Sequence, residues 1–364
     1  MNKNSAEEIF FPVGLYKNVP YFMPPEGFDE TAGLARLAES RRINSAFAEQ
    51  FEPDPAAEKT YISGSFIYAQ PPDYYGCPML EASIDDWRNV FRRFKKMNID
   101  TVIFQAALWK ELGSCFYMST AYKNMRCFKV LENLFPAAAA ENMQVYLGGY
   151  GSVAGWKEYM SQAELQLELD CHKKCFEEIR SLGSFDGMYF PAETAFRGVR
   201  QPVKEKRMNT LYRAFSDMVK GFDSKLKIIT SPATRALPGT SEVFIDFWDS
   251  ILDDSGVDIL MPQDSIGTCA SNLQVMEQQW QDWKSVAEKQ NITLWSHTEI
   301  FERRGYTVEN NLYPADPQRL QLQLAISGKY VEKHCCWEAI SFTDPAIHGK
   351  PAEDLKNFME KSNR

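Results

Sequence analysis

The 364-residue chain carries no excess of basic charge: forty Lys and Arg stand against forty-nine Asp and Glu, a net charge of −9. A nucleic-acid partner is thereby disfavoured, because phosphate backbones are held by clustered cations. Long apolar runs are missing too, the stretch around Val102 to Leu108 being far short of the roughly 20 residues of a membrane helix, so no membrane span is expected. At the N-terminus, Glu7 and Glu8 are followed only by Ile9, Phe10 and Phe11 before Pro12. That is not the apolar core of a signal peptide, and a cytoplasmic location is expected. The eight cysteines lack the dense spacing of a disulfide framework and read as small buried hydrophobes. Cys171, His172 and Cys175 could form half a metal site, but no second ligand pair of matching spacing exists. Histidine is scarce, with four in the chain, and only His297 falls at an expected strand end, so no metal and no cofactor is assigned. Gly-x-Ser-x-Gly and Walker-type loops are absent. Lysine is nearly absent from the expected strand ends, which argues against Schiff-base chemistry.

What the chain does have is 44% hydrophobic residues and a repeating texture. Short strand-like runs occur at Tyr61–Gln70, Thr101–Leu108, Val145–Tyr150, Gly187–Glu193, Lys227–Ser231, Asp258–Asp264, Ile292–Glu299 and Cys335–Asp344. Segments with helical apolar spacing lie between them, such as Trp87, Val90, Phe91 and Phe94. Pro136 is expected to kink or split the helix of the second crossover. Eight alternations predict an α/β fold, a (β/α)8 TIM barrel over residues 61–364, with residues 1–60 as an N-terminal extension packed on it. A doubly wound sheet is the runner-up; it is disfavoured because Gln70-Pro71-Pro72-Asp73 follows the first strand in place of a Gly-rich phosphate turn.

In such a barrel the chemistry sits at the carboxyl ends of the strands. That rule selects Gln70, Gln105, Tyr150, Glu193, Ser231, Thr234, Gln263, Asp264, His297, Glu299 and Asp344. Glu193 directly follows an apolar strand, where a helix N-terminal acid is the plain alternative. Glu299 shares a strand face with Trp295 and His297 by alternation, and a salt bridge to Arg303 or Arg304 is its plain alternative. Two carboxyl groups on opposite strands are what glycoside hydrolysis requires, one protonated to assist departure and one ionised to attack or to activate water. Asp264 could bind a sugar hydroxyl, support the site, act as a further acid or base, or cap a helix. Gln263 can both donate to and accept from a hydroxyl. Aromatic residues in the expected mouth loops, among them Tyr74, Tyr75, Trp109, Tyr150 and Trp156, would suit the C–H faces of sugar rings.

The segments Gly64-Ser65-Phe66-Ile67, Tyr189-Phe190-Pro191-Ala192-Glu193, Met261-Pro262-Gln263-Asp264-Ser265-Ile266-Gly267 and Trp295-Ser296-His297-Thr298-Glu299 resemble a bacterial family of glycoside-hydrolase-type barrels, largely classed as a domain of unknown function. The resemblance runs from about residue 60 to 345, and the Pro-Gln-Asp-x-x-Gly stretch is its most specific motif. It implies the strand 4 and strand 7 acids of the large clan of retaining glycosidases, hence Glu193 as acid/base and Glu299 as nucleophile. One departure matters: Ala192 stands where that clan usually has the Asn that holds the sugar 2-hydroxyl. Either Gln105 or Gln263 substitutes for it, or substrate and mechanism differ. The expected activity is cleavage of a glycosidic bond in a small saccharide or glycoconjugate. Gln70, Gln105, Trp109, Tyr150, Gln263, Asp264 and His297 are the expected substrate-binding residues. Glu193 is expected to be the less solvated acid, and Glu299 to be held ionised by donors such as His297. A non-catalytic carbohydrate-binding barrel and a carboxylate-metal isomerase or lyase stay open as alternatives.

Overall fold

A computed structural model describes residues 11–16, 19–24, 27–52, 60–69, 79–109, 113–151, 161–191, 193–234, 239–307 and 309–361. Eight parallel strands close on themselves: β1 (Ile62–Ile67), β2 (Thr101–Phe104), β3 (Gln144–Gly148), β4 (Gly187–Phe190), β5 (Lys227–Thr230), β6 (Ile259–Leu260), β7 (Thr293–Glu299) and β8 (Lys333–Trp337). Each strand pairs with its neighbours in sequence, and β8 returns to β1. The main crossover helices are α1 (Ile84–Lys96), α2 (Val130–Ala140), α3 (Gln162–Ile179), α4 (Pro202–Phe222), α5 (Ser241–Leu252), α6 (Leu273–Gln290), α7 (Pro317–Ser327) and α8 (Lys350–Lys361). The architecture is the (β/α)8 TIM barrel.

The local reasons are readable. In α1, Ser83 and Asp86 form a reciprocal capping box, the last turn carries Arg93, Lys95 and Lys96, and Trp87, Phe91 and Phe94 are buried. Pro136 lies inside a single helix, so the expected split of the second crossover does not occur. The last sequence run ends early: β8 stops at Trp337, and Asp344 caps the short helix Pro345–His348 by accepting from Ala346 N at 2.9 Å.

The lumen is filled by side chains that meet across it. Tyr146 of β3 meets Trp295 of β7 edge-on, with centroids 5.8 Å apart. One layer higher, the Phe66 ring of β1 packs on Tyr189 of β4 at 5.2 Å and on His297 of β7 at 4.4 Å. Interior-facing residues of opposite strands thus form a packed core, as this barrel type requires. At Gly148 an added Cβ would lie 1.8 Å from the Gln105 carbonyl oxygen, so glycine there lets β3 pass close to the end of β2.

Upstream of the barrel, the helix Glu30–Ala48 lies against the turn that precedes α6. Asn44 Oδ1 accepts from Leu273 N at 2.8 Å, and Ser40 Oγ donates to the Ser271 carbonyl at 3.3 Å. Among the described residues no helix is long and apolar enough to cross a membrane.

Candidate functional site at the barrel mouth

Above β4 to β7 the sheet continues as single bridges linking Ala195, Ala233, Gln263 and His297. These bridges bring the ends of the four strands level with one another. His297 is buried; its Nδ1 lies 2.8 Å from Ser231 Oγ, and its Nε2 has no hydrogen-bond partner among the described residues. Burial pushes its imidazole down to about 3, so the ring is neutral and serves as a rigid polar wall. Gln263 is half-buried and reaches the Ser231 carbonyl through Nε2 at 3.5 Å. Gln105 accepts from Trp337 Nε1 at 3.4 Å. Beside that pair, Tyr68 packs on Trp337 at 5.6 Å and on Trp109 at 6.5 Å.

Glu193 is half-buried, two residues before the Ala195 bridge. Burial, and after it the charge of Glu193, push the Tyr189 phenol well above the usual tyrosine range, so the carboxylate acts on the ring that fills the upper lumen. Glu299 ends β7 in a different setting, only 3% exposed. The turn Ser265–Cys269 folds over it: Thr268 N donates to Oε2 at 2.7 Å, and Thr268 Oγ1 lies 3.3 Å from Oε1. The same hydroxyl lies 3.2 Å from the Ser265 carbonyl oxygen and has one proton to give. Both contacts are attractive together when Glu299 itself carries a proton and donates it to Thr268. Burial, followed by the charge of Asp264, pushes the Glu299 carboxyl up to about 8, and the Thr268 bonds pulling the other way are outweighed. Gly267 allows this cover, since a Cβ there would lie 2.2 Å from the Phe301 carbonyl oxygen and 3.0 Å from Glu299 Cβ. Ser265 and Cys269, at the two ends of the turn, have left-handed backbones with φ of 56° and 60°.

Several expectations are therefore revised. Glu299, not Glu193, is the sealed acid, and its partner is Thr268, not His297. Alternation puts Glu299 on the lumen face, but it does not reveal a turn closing from β6. Asp264 is also sealed: Oδ1 accepts from Ile266 N at 3.2 Å and Glu299 N at 3.3 Å, and Oδ2 accepts from Gln323 Nε2 at 2.7 Å. Its acceptors are engaged by the protein, which favours site support over sugar binding. Trp109 and Tyr150 are buried in a small side sheet, where Leu108–Trp109 pairs with Ser114–Cys115 and with Tyr150–Gly151. Neither forms an open rim platform. Thr234 accepts from Trp283 Nε1 at 2.9 Å and so serves helix packing. Gln70, Tyr74, Tyr75 and Trp156 lie outside the described residues.

Two mouth residues escape a reading confined to polar strand ends. Trp337 lies two positions beyond Cys335 on the same strand and is found by alternation. Glu338 follows it, accepts from Ile340 N and Ser341 N, and is pushed up to about 7 by burial. Its carboxyl caps the short helix Ala339–Phe342. Cys171, Cys175 and His172 pack in the core, with His172 Nδ1 accepting from Tyr150 N at 3.4 Å. Among the described residues no group of three or more His, Cys, Asp or Glu side chains could hold a metal ion.

Eight closed strands, with polar groups of β4 to β8 converging at their carboxyl ends, define the molecule as a (β/α)8 TIM barrel with a polar mouth. The chain belongs to the family described as DUF4434, a domain of unknown function, matched over residues 62–349. No curated protein matches it. Among solved structures it is similar to a "putative alpha-L-fucosidase from Bacteroides thetaiotaomicron VPI-5482", with TM-score 0.69 and 19% identity over 86% of this chain and 95% of that one. It is also similar to an endo-beta-1,4-mannanase from Thermotoga petrophila, with TM-score 0.50 and 10% identity over 84% of this chain and 77% of that one. These likenesses establish the barrel fold.

Proposed function

We propose that the protein hydrolyses a glycosidic bond in a small saccharide or glycoconjugate, with Glu193 and Glu299 as the reacting carboxyls. The observation that carries this reading is the contrast between two acids at the ends of β4 and β7, one half-buried beside Tyr189 and one sealed under Thr268, where burial favours its protonated form. Pairs of carboxyls driven apart in this way divide the work of acid and base. The contrast also sets the roles. Glu299 supplies the proton to the departing oxygen, and Glu193 attacks the anomeric carbon or activates water. The Ser265–Cys269 turn must then lift from Glu299 as substrate enters. Neutral amides at Gln105 and Gln263, the neutral His297 ring and the Tyr68–Trp337 pair are suited to sugar hydroxyls and C–H faces. The fucosidase and mannanase likenesses support a saccharide as the substrate class.

The test is a panel of natural and aryl glycosides assayed with the parent, Glu193→Gln and Glu299→Gln. Loss of the acid should slow poor leaving groups by on the order of 10²-fold and spare activated aryl glycosides, which need little protonation. Glu193→Gln should stop both kinds of turnover. Near-parental activity of Glu193→Gln on every cleaved substrate would remove the reading. A non-catalytic sugar-binding barrel is favoured by one observation, the engagement of both Glu299 oxygens by Thr268, and it requires saccharide binding without turnover.

A further inference from the structure

The ladder between β6 and β7 runs out before Glu299. Its last backbone bonds are His297 N to Pro262 O at 2.9 Å and Asp264 N to His297 O at 3.0 Å. Beyond that point side chains replace the missing strand. Glu299 N donates to Asp264 Oδ1 at 3.3 Å, while the Glu299 carbonyl accepts from Arg319 at 3.2 Å and from Gln323 Nε2 at 3.4 Å. Gln323 also donates to Asp264 Oδ2 at 2.7 Å, so Asp264 and Gln323 grip the Glu299 peptide from both sides. Asp264 is 3% exposed, and its acceptors are taken up by Glu299, Ile266 and Gln323. A helix cap alone would not need the bonds to Glu299 and Gln323.

We propose that Asp264 is a positioning residue for the Glu299 carboxyl, fixing the main chain that carries it and, as a carboxylate buried beside it, opposing its ionisation. This deepens the hydrolase reading and rests on Glu299 being the proton donor. The groups that face the pair are Arg319 from α7 and Thr268 and Cys269 from the covering turn, while Glu302 beyond β7 acts on Cys269. Arg319 favours ionisation of both acids, whereas their mutual repulsion disfavours having both charged. Two carboxyls so close titrate as a pair.

The variant that removes the charge is Asp264→Asn. Its Oδ1 can still accept from Glu299 N and Ile266 N, and Gln323 Oε1, which has no partner among the described residues, can accept from the new amide after a flip; that flip gives up the 3.4 Å bond to the Glu299 carbonyl, which Arg319 still holds. Carboxyl-selective ¹³C NMR of the full chain, with the Glu299 signal assigned by its loss in Glu299→Gln, reads protonation without needing turnover. The Glu299 midpoint should fall by at least one pH unit, a tenfold change in its proton equilibrium, and the high-pH limb of kcat/KM should move down with it. A merely structural Asp264 would lower stability and leave that midpoint in place, and this result overturns the proposal. Should Asp264→Asn fail to fold, the parent decides: the Glu299 signal must show a second inflection at the Asp264 midpoint, and a single-step curve is equally fatal. A midpoint that falls in a protein that cleaves no glycoside keeps this inference and removes the hydrolase reading. Turnover that depends on Glu299, with an unmoved midpoint, does the reverse.

Discussion

Replacing Glu299 by Gln should stabilise the protein at alkaline pH, and the size of the effect follows from the sealed carboxyl. An ordinary glutamate titrates near 4.5, whereas burial and Asp264 push Glu299 up to about 8. Between those values the folded protein keeps a proton that the unfolded chain has released. The sign is that of a raised acid: its contribution is fully present below about 4.5 and is lost as pH rises through about 8. Each pH unit in that window is worth ~1.4 kcal/mol. Asp264 and Glu338, pushed up to about 6 and about 7, tilt the parent profile the same way. The amide introduced by Glu299→Gln would be neutral throughout, accepting from Thr268 N and donating to Thr268 Oγ1 as the protonated acid does. Urea unfolding at pH 5 to 9 should therefore show a parent that weakens with rising pH. The variant's profile should be flatter by ~1.4 kcal/mol per pH unit around pH 6 to 8, with the greatest advantage at the alkaline end. Parallel profiles would mean that Glu299 is ionised in the native protein, and the argument for it as proton donor would collapse.

Turnover by the parent should decline above about pH 8, where Glu299 gives up its proton, and a rate still rising well past that point would contradict the assignment. Gly267→Ala sets a Cβ against the Phe301 carbonyl oxygen and should cost about 1–3 kcal/mol in denaturant unfolding while dislodging Thr268 from Glu299; an unchanged midpoint would show that the turn gives way freely. Asn44→Ala leaves the buried Leu273 N–H without its acceptor and should lower stability by about 1–3 kcal/mol, whereas Asn44→Asp, which keeps the acceptor, should lower it less.

The barrel was legible because its strands are short apolar runs separated by amphipathic helices, a pattern that survives without tertiary knowledge. Glu193, Gln263, His297 and Glu299 could be placed at strand ends for the same reason. Their surroundings could not, since they depend on contacts distant in sequence. Thr268 reaches Glu299 across 31 residues, and Gln323 reaches Asp264 across 59. Strand alternation gives the direction of a Cβ and says nothing of what folds over it, which is why the two glutamates exchanged environments. Trp109 shows the opposite case: its place in a loop sequence suggests exposure, yet a two-residue strand pairs it into a side sheet. Trp337 is within reach of the alternation rule, but as a largely apolar side chain it carries no polar mark of a strand-end site.

The helix Glu30–Ala48 bears on how this chain should be cut for study. Residues 62–349 are what sequence comparison recognises, yet Asn44 and Ser40 hold the turn before α6, and α8 buries Ala352, Leu355 and Met359 beyond the other boundary. The stretch recognisable in sequence is thus shorter than the stretch that stabilises itself. A fragment trimmed to the recognised boundaries would uncover apolar faces at both ends of the chain and release the segment that carries Thr268. Weak activity or aggregation of such a fragment would then report on the trimming and not on the chemistry of the barrel.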